Sequence, residues 1–235
     1  MKYIGSKARI AKEISAIMLK DRKPGQYFVD LFCGGCNMID SVTGKRIAND
    51  INPYLIALFK AVINGFRPPE FINKEERDSI KKNPEKYNPE LVGWAGFACG
   101  FGGDFNGGYA GISNTKSGTI RNYQNEAYRG LLKQAKKLEG VEFFNEDYQS
   151  VPLPANSIVY CDIPYKGTTG YSNKLDYEIF YTWARANKDN HKIFVSEYDA
   201  PEDFICQWQK QLGSQLSANG KSGGNKTSTE RLFTL

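Results

Sequence analysis

The sequence predicts an α/β fold: a largely parallel sheet with helices on both faces, interrupted by one long insertion. Three patterns carry this expectation. Between residues 6 and 63 the apolar spacing runs helix, strand, turn, strand, helix, the alternation that joins parallel strands through crossovers. Strand-like runs resume at 141–145, 157–161 and 192–196. Between the two halves lies the stretch 100–125, rich in Gly, Asn, Ser and Thr and carrying Phe101, Phe105, Tyr109 and Tyr123. That stretch is too long for a plain connection in a compact domain and points to a functional surface.

Taken in order, Ile10, Ile14, Ile17 and Met18 repeat at helical spacing and predict a helix over 6–19 with Ser6 as N-cap. Residues 26–32 form a short apolar, aromatic run that stops at Gly34-Gly35, as a buried strand ending in a loop does. Residues 45–50 read as a second strand, and Asn52-Pro53 opens a helix with Asn as cap and Pro at its first position. After Pro68-Pro69 comes a charged, weakly periodic stretch to about residue 90, and Tyr128 to Leu138 reads as a basic helix closed by Gly140. A helix over 176–186 separates the last two strand runs. Residues 217–229 read as a low-complexity loop, and 231–235 as a terminal strand. The expected organisation is a domain of residues 1–60 and 140–235 with residues 61–139 inserted into it.

The chain of 235 residues can bury one substantial core but is short for two full domains. No apolar run approaches the roughly 18 residues of a membrane span, and no charged stub with an apolar core opens the sequence. Export and membrane insertion are therefore not expected. The cysteines Cys33, Cys36, Cys99, Cys161 and Cys206 are odd in number and scattered, which favours reduced thiols and a cytoplasmic location. Cys33-Gly-Gly-Cys36 has the spacing of a zinc or redox pair, yet no second close pair exists, so no metal is expected. A lone histidine, His191, and the lack of a Gly-x-Ser-x-Gly elbow argue against hydrolase triads. The net charge of +5 is concentrated: residues 1–23 and 116–137 each carry a local excess of five positive charges. Such patches can track phosphates.

Two motifs carry chemistry. Asp30-Leu-Phe-Cys-Gly-Gly-Cys36 follows the first strand and Asp50 ends the second, a pairing suited to a nucleoside whose ribose hydroxyls need an acceptor. The turn lacks the Gly-x-Gly-x-x-Gly spacing that cradles a pyrophosphate and suits an adenosyl ligand without phosphate. Ser157-Ile-Val-Tyr-Cys-Asp-Ile-Pro-Tyr165 places an acid, a proline and an aromatic at a strand end, the edge where open α/β sheets bind ligands.

With Lys2-Tyr-Ile-Gly-Ser-Lys7, Asn49-Asp50-Ile-Asn-Pro53 and Glu146-Asp147-Tyr148, these motifs make a sequence that resembles the Dam-type DNA adenine-N6 methyltransferases over its length, least across 66–99. The resemblance implies a Rossmann-like methyltransferase sheet with a helical and loop target-recognition insertion, S-adenosylmethionine as cofactor and double-stranded DNA as partner of a monomer. It implies that Tyr3 and Lys7 hold the methionine end of the cofactor, that Asp30, Phe32, Cys33 and Gly34 line its turn, that Asp50 binds the ribose, and that Asp147 and Tyr148 read its adenine. Asp162 would accept, with the Ile163 carbonyl, the two N6 protons of a flipped adenine beside the cofactor; Pro164 completes the motif, and Tyr165 would stack on the base. The region from Tyr109 to Lys137 would hold the DNA contacts, with Lys116, Arg121, Arg129 and Lys133 as candidates. The sequence departs from the family at Ile163, where Pro is usual, and at Cys36, where Gly is usual. It also lacks the elements associated with GATC recognition. A catalytically impaired relative and a methyltransferase acting on a non-DNA amine or amide are the competing readings, the latter disfavoured by the basic insertion.

Overall fold

The computed structural model describes residues 1–114, 118–165, 175–213 and 227–235. A 3₁₀ turn at Lys7–Arg9, capped by the Ser6 hydroxyl on the Ala8 N–H, leads into α1 (Ala11–Met18). Strands β1 (Phe28–Asp30) and β2 (Arg46–Asn49) precede α2 (Pro53–Ile63), whose first N–H groups donate to the Asn52 side chain at 3.0 and 3.2 Å. The weakly periodic region holds α3 (Lys74–Lys82) and α4 (Pro89–Gly93), the latter running into a π-helical turn at Trp94–Ala98. An antiparallel pair, β3 (Ile112–Asn114) and β4 (Ile120–Asn122), sits in the glycine-rich stretch. Then follow α5 (Tyr123–Leu138), β5 (Val141–Phe144), β6 (Ile158–Asp162), α6 (Tyr177–Asn187), β7 (Lys192–Glu197), β8 (Ile205–Gly213) and β9 (Thr227–Thr234).

The main sheet runs β5-β2-β1-β6-β7-β9-β8, parallel from β5 to β7, with β9 antiparallel to both of its neighbours. From β1 the chain passes to β2 on one side, while β6 flanks β1 on the other. That reversal of strand order opens a crevice at the carboxyl ends of β1 and β6, where open α/β sheets bind ligands. One buried cluster, including Ile14, Met18, Leu55 and Phe59, covers one face, and a second, including Val29, Val159, Phe180 and Ile193, covers the other.

The expected elements are present, with shifts at their ends. The first helix is split into a 3₁₀ turn and α1, α5 begins five residues before Tyr128, and β8 is a strand that apolar spacing did not suggest. Its exposed-biased pattern, with only Trp208 and Leu212 partly covered, explains the omission. Of the anticipated 217–229 loop, 227–229 open β9 and the rest lies outside the described residues. Residues 61–139 pack on the common core: Ile72, Ile80, Trp94, Leu131 and Leu138 share a cluster with α1 and α2. The buried Arg46 of β2 donates to the carbonyls of Lys137 and Glu139, both at 2.7 Å, closing the carboxyl end of α5 against the sheet. No helix among the described residues is long and apolar enough to cross a membrane.

Candidate active site

A cleft at the switch point is lined by Tyr3 to Lys7, Asp30, Phe32 to Gly35, Asn37, Met38, Asp50, Ile51, Tyr160, Asp162 and Pro164. Its floor is the turn after β1. Gly34 has φ of 45°, and a Cβ there would collide with the Tyr3 ring, so close packing of the N-terminal segment over the turn requires glycine. Gln134 of α5 supports the same turn from behind, donating to the Gly35 carbonyl at 2.9 Å. Asp50 clamps the turn from the end of β2: its carboxylate accepts from the Gly34 N–H and the Asn52 N–H, each at 2.9 Å. Asn49, buried beside it, joins the Leu31 and Glu146 carbonyls at 3.1 Å each and so ties three strand ends together.

The cleft is electrostatically lopsided. Asp30 is 1% exposed, and its Oδ1 is a buried oxygen without a hydrogen-bond partner among the described residues. Burial, then the nearby Asp162 and Asp50 carboxylates, holds its carboxyl well above the usual range. Burial also raises Asp50, against the two backbone N–H donors, and raises Asp162, against the Lys7 ammonium. Lys7 sits 2.8 Å from Asp162 Oδ1 and 3.8 Å from Glu230 Oε2, donates to the Gly5 carbonyl at 3.2 Å, and lies 4.5 Å from the Tyr165 ring centre. Burial pulls its ammonium down, but the two carboxylates outweigh it and hold Lys7 above its ordinary value. Cys33 and Cys36 are buried with sulfurs 3.6 Å apart; the Cys36 contact and burial push the Cys33 thiol up, and Cys36 takes φ of 55°.

The structure thus brings Tyr3, Lys7, Asp30, Phe32, Cys33, Gly34, Asp50, Asp162 and Pro164 to one cleft. Ile163 is buried at 1% exposure in the second core cluster, and the Pro164 carbonyl accepts from the Tyr177 hydroxyl at 2.7 Å. Tyr165 lies beside the cleft, its hydroxyl donating to Glu230 at 2.6 Å and its ring edge-on to Tyr198 at 4.4 Å. Asp147 and Tyr148 are not on the lining. Tyr148 packs behind Phe32 at 5.5 Å and edge-on to Trp183, and Asp147 accepts from the Gln149 N–H. Lys7, expected to meet a ligand carboxylate, is engaged by Asp162 and Glu230. Sequence reasoning missed Glu230 and Asn49; Asn49 adjoins a motif that marked it, whereas nothing local marks Glu230.

Of the candidate DNA contacts, Lys116 lies outside the described residues. Arg121 on β4 grips Glu126 with two bonds of 2.6 and 2.8 Å and lies 4.7 Å from the Tyr123 ring centre. Arg129 and Lys133 stand on the exposed face of α5, opposite the buried Leu131, Gln134 and Leu138.

Fold and cleft together define an α/β protein with an acid-rich cleft at the carboxyl edge of its parallel strands. Residues 3–90 match the model of the D12 class N6 adenine-specific DNA methyltransferase family. The retron Ec67 DNA adenine methylase of Escherichia coli is 26% identical over 98% of this chain and 88% of its own length. The chain is thus similar to adenine-specific DNA methyltransferases. Two solved structures assigned as methyltransferases also align: yhhF of Escherichia coli, at TM-score 0.37 and 9% identity over 99% of this chain and 87% of that one, and SMU.472, complexed with SAH, at TM-score 0.37 and 13% identity over 98% and 53%.

Proposed function

We propose that the chain methylates N6 of an adenine flipped out of duplex DNA, with S-adenosylmethionine in the switch-point cleft and Asp162-Ile163-Pro164-Tyr165 holding the base. One observation carries it: the acid-Ile-Pro-Tyr segment leaves β6 directly against the cleft that Lys7, Asp30 and Asp50 line. The cleft fits the cofactor. Asp30 offers a buried oxygen unpartnered among the described residues, and three carboxylates against one ammonium complement a ligand bearing both a sulfonium and an α-ammonium. The glycine floor admits a ligand with no phosphate to cradle. When bound, S-adenosylmethionine supplies an electrophilic methyl group on sulfur.

This chain's own residues supply position and charge. Asp50 accepts ribose hydroxyls from an already anchored carboxylate, and Phe32, backed by Tyr148, forms an apolar wall toward the adenine side. Tyr148 serves that side through Phe32, which it packs behind, and Asp147 meets the cofactor adenine from the loop after β5. The adenine N6 lone pair is delocalised into its ring and is a weak nucleophile. Asp162 and the Ile163 carbonyl accept the two N6 protons and so turn that lone pair out of the ring plane, which is positioning and electrostatics without a covalent intermediate. Tyr165 stacks on the base, whose extrusion is required because N6 cannot be approached in line within a duplex. Arg121, Arg129, Lys133 and Lys116 contact DNA from the insertion of residues 61–139, and the enzyme acts in the cytoplasm as a monomer at a defined sequence. The test is transfer of labelled methyl to unmethylated duplex DNA and to protein: label recovered as N6-methyladenine supports the assignment, and label in protein alone overturns it.

A further inference from the structure

We propose that Glu230, from the antiparallel strand β9, is a positioning residue that holds Tyr165 and Lys7 in register with Asp162. The proposal rests on the role given above to Asp162 and Tyr165. A single carboxylate oxygen, Glu230 Oε2, accepts from the Tyr165 hydroxyl at 2.6 Å and faces the Lys7 ammonium at 3.8 Å. Its side chain is 12% exposed, so both interactions are largely shielded from water. Tyr165 follows the end of β6, beyond the sheet ladder, and a ring that must meet a flipped base needs its orientation fixed from outside that segment. Among the described residues, Glu230 holds the Tyr165 hydroxyl, Tyr198 packs against its ring in a T-shaped pair and Lys7 lies over its face. Strand β9 is itself anchored there, because the neighbouring Arg231 donates to the Tyr198 carbonyl.

The second arm concerns charge. Lys7 is shared between Asp162 and Glu230. Without the Glu230 anion the ammonium has one carboxylate left and draws more tightly onto Asp162, the group that has to accept an N6 proton. Glu230 therefore keeps Asp162 available while Tyr165 stays oriented. Substrate and cofactor need not touch Glu230 for this to hold, since it acts only through Tyr165 and Lys7.

Steady-state methylation of duplex DNA, with calorimetric binding of S-adenosylmethionine and of DNA, tests both arms. Glu230→Ala is expected to lower kcat by about thirtyfold with both binding constants within about threefold of wild type. The isosteric Glu230→Gln keeps an acceptor for Tyr165 but removes the charge, and is expected to lose about five- to tenfold. Adding Tyr165→Phe to Glu230→Ala is expected to cost little more, because both changes remove the same Tyr165–Glu230 bond. Wild-type kcat in both Glu230 variants, or full multiplication of the Tyr165→Phe and Glu230→Ala losses, overturns the proposal. Asp162→Ala separates the two levels: if it is inactive while the Glu230 variants behave as wild type, only the positioning role falls. If it is active, the site assignment falls and this proposal with it. Should Glu230→Ala fail to fold, Glu230→Gln alone decides through its split between kcat and binding.

Discussion

At the scale of single residues, Asp50 has two duties that pull in the same direction. Its carboxylate anchors Gly34 and Asn52, and in the proposed function it also accepts ribose hydroxyls. Asp50→Ala is expected to weaken S-adenosylmethionine binding by about 1.5–3 kcal/mol, the scale of hydrogen bonds to charged groups. Unchanged calorimetric affinity in a folded variant would remove Asp50 from the site. Ile163 is a different case. From sequence alone, Pro at this position should leave activity equal or higher, because only the carbonyl is used and φ becomes preset. The structure adds a cost, since the Ile163 side chain is 1% exposed and packs with Val29, Val159 and Phe180. Ile163→Pro is therefore expected to keep methyl transfer while losing about 1–2 kcal/mol of stability, a fall in Tm of about 2–8 °C. Loss of transfer in a folded variant would show that residues 162–165 do not hold the base as described.

At the scale of elements, the parallel half was legible because its strands are short apolar runs, several ending at a motif, and α2 opens with a recognisable cap at Asn52-Pro53. The antiparallel half was legible only at 231–235, which read as a strand and lie almost wholly within β9. Strand β8 alternates too weakly, and β3 and β4 are three residues each inside a glycine-rich stretch that lacks strand periodicity. The candidate DNA-binding insertion couples such a short pair to the long helix α5, and the two should respond differently to mutation. Arg121 is held by Glu126, with its planar fork presented beside Tyr123. Arg129 and Lys133 stand free of that clamp on an exposed helix face. Arg121→Ala is expected to cost about ten- to a hundredfold in affinity at the cognate sequence with little effect on scrambled DNA, as a base-edge contact would. Arg129→Ala and Lys133→Ala should each weaken binding to every sequence and flatten the salt dependence by about one unit of slope. A salt titration on matched and scrambled duplexes checks this; an unchanged slope in both α5 variants would mean that this face does not meet the phosphates.

At the scale of the whole molecule, the candidate site assembles carboxylates from distant parts of one sheet: Asp30 at the end of β1, Asp50 after β2, Asp162 at the end of β6 and Glu230 on β9. The first three were legible because parallel strands place their carboxyl ends along one edge, so a strand-end acid is already a site acid. Glu230 arrives on a strand running the other way, and only the tertiary pairing of β9 with β7 brings it to the same edge. Gathering these acids destabilises the ligand-free fold in a pH-dependent way. Asp30, Asp50 and Asp162 are all raised, foremost by burial, so the native state holds their protons more tightly than the unfolded chain does. Their contribution to stability is full below the ordinary carboxylate value of 3.8 and is lost as pH rises through the raised native values. Asp30→Asn removes the most perturbed of them, and its amide retains an acceptor for the Phe32 N–H. The ligand-free variant is expected to melt above wild type, by a margin that widens over the interval in which pH rises above 3.8 toward the raised native value. A cationic ligand acts in the opposite sense, because it favours the ionised carboxylates. Binding of S-adenosylmethionine to the wild type should therefore tighten over the same interval and release protons, measurable as a buffer-dependent heat in calorimetry, and Asp30→Asn should lose most of that release. A melting difference that stays constant with pH, together with proton release equal in the two proteins, would show that Asp30 is not the carboxyl at which the fold gives up stability for ligand binding.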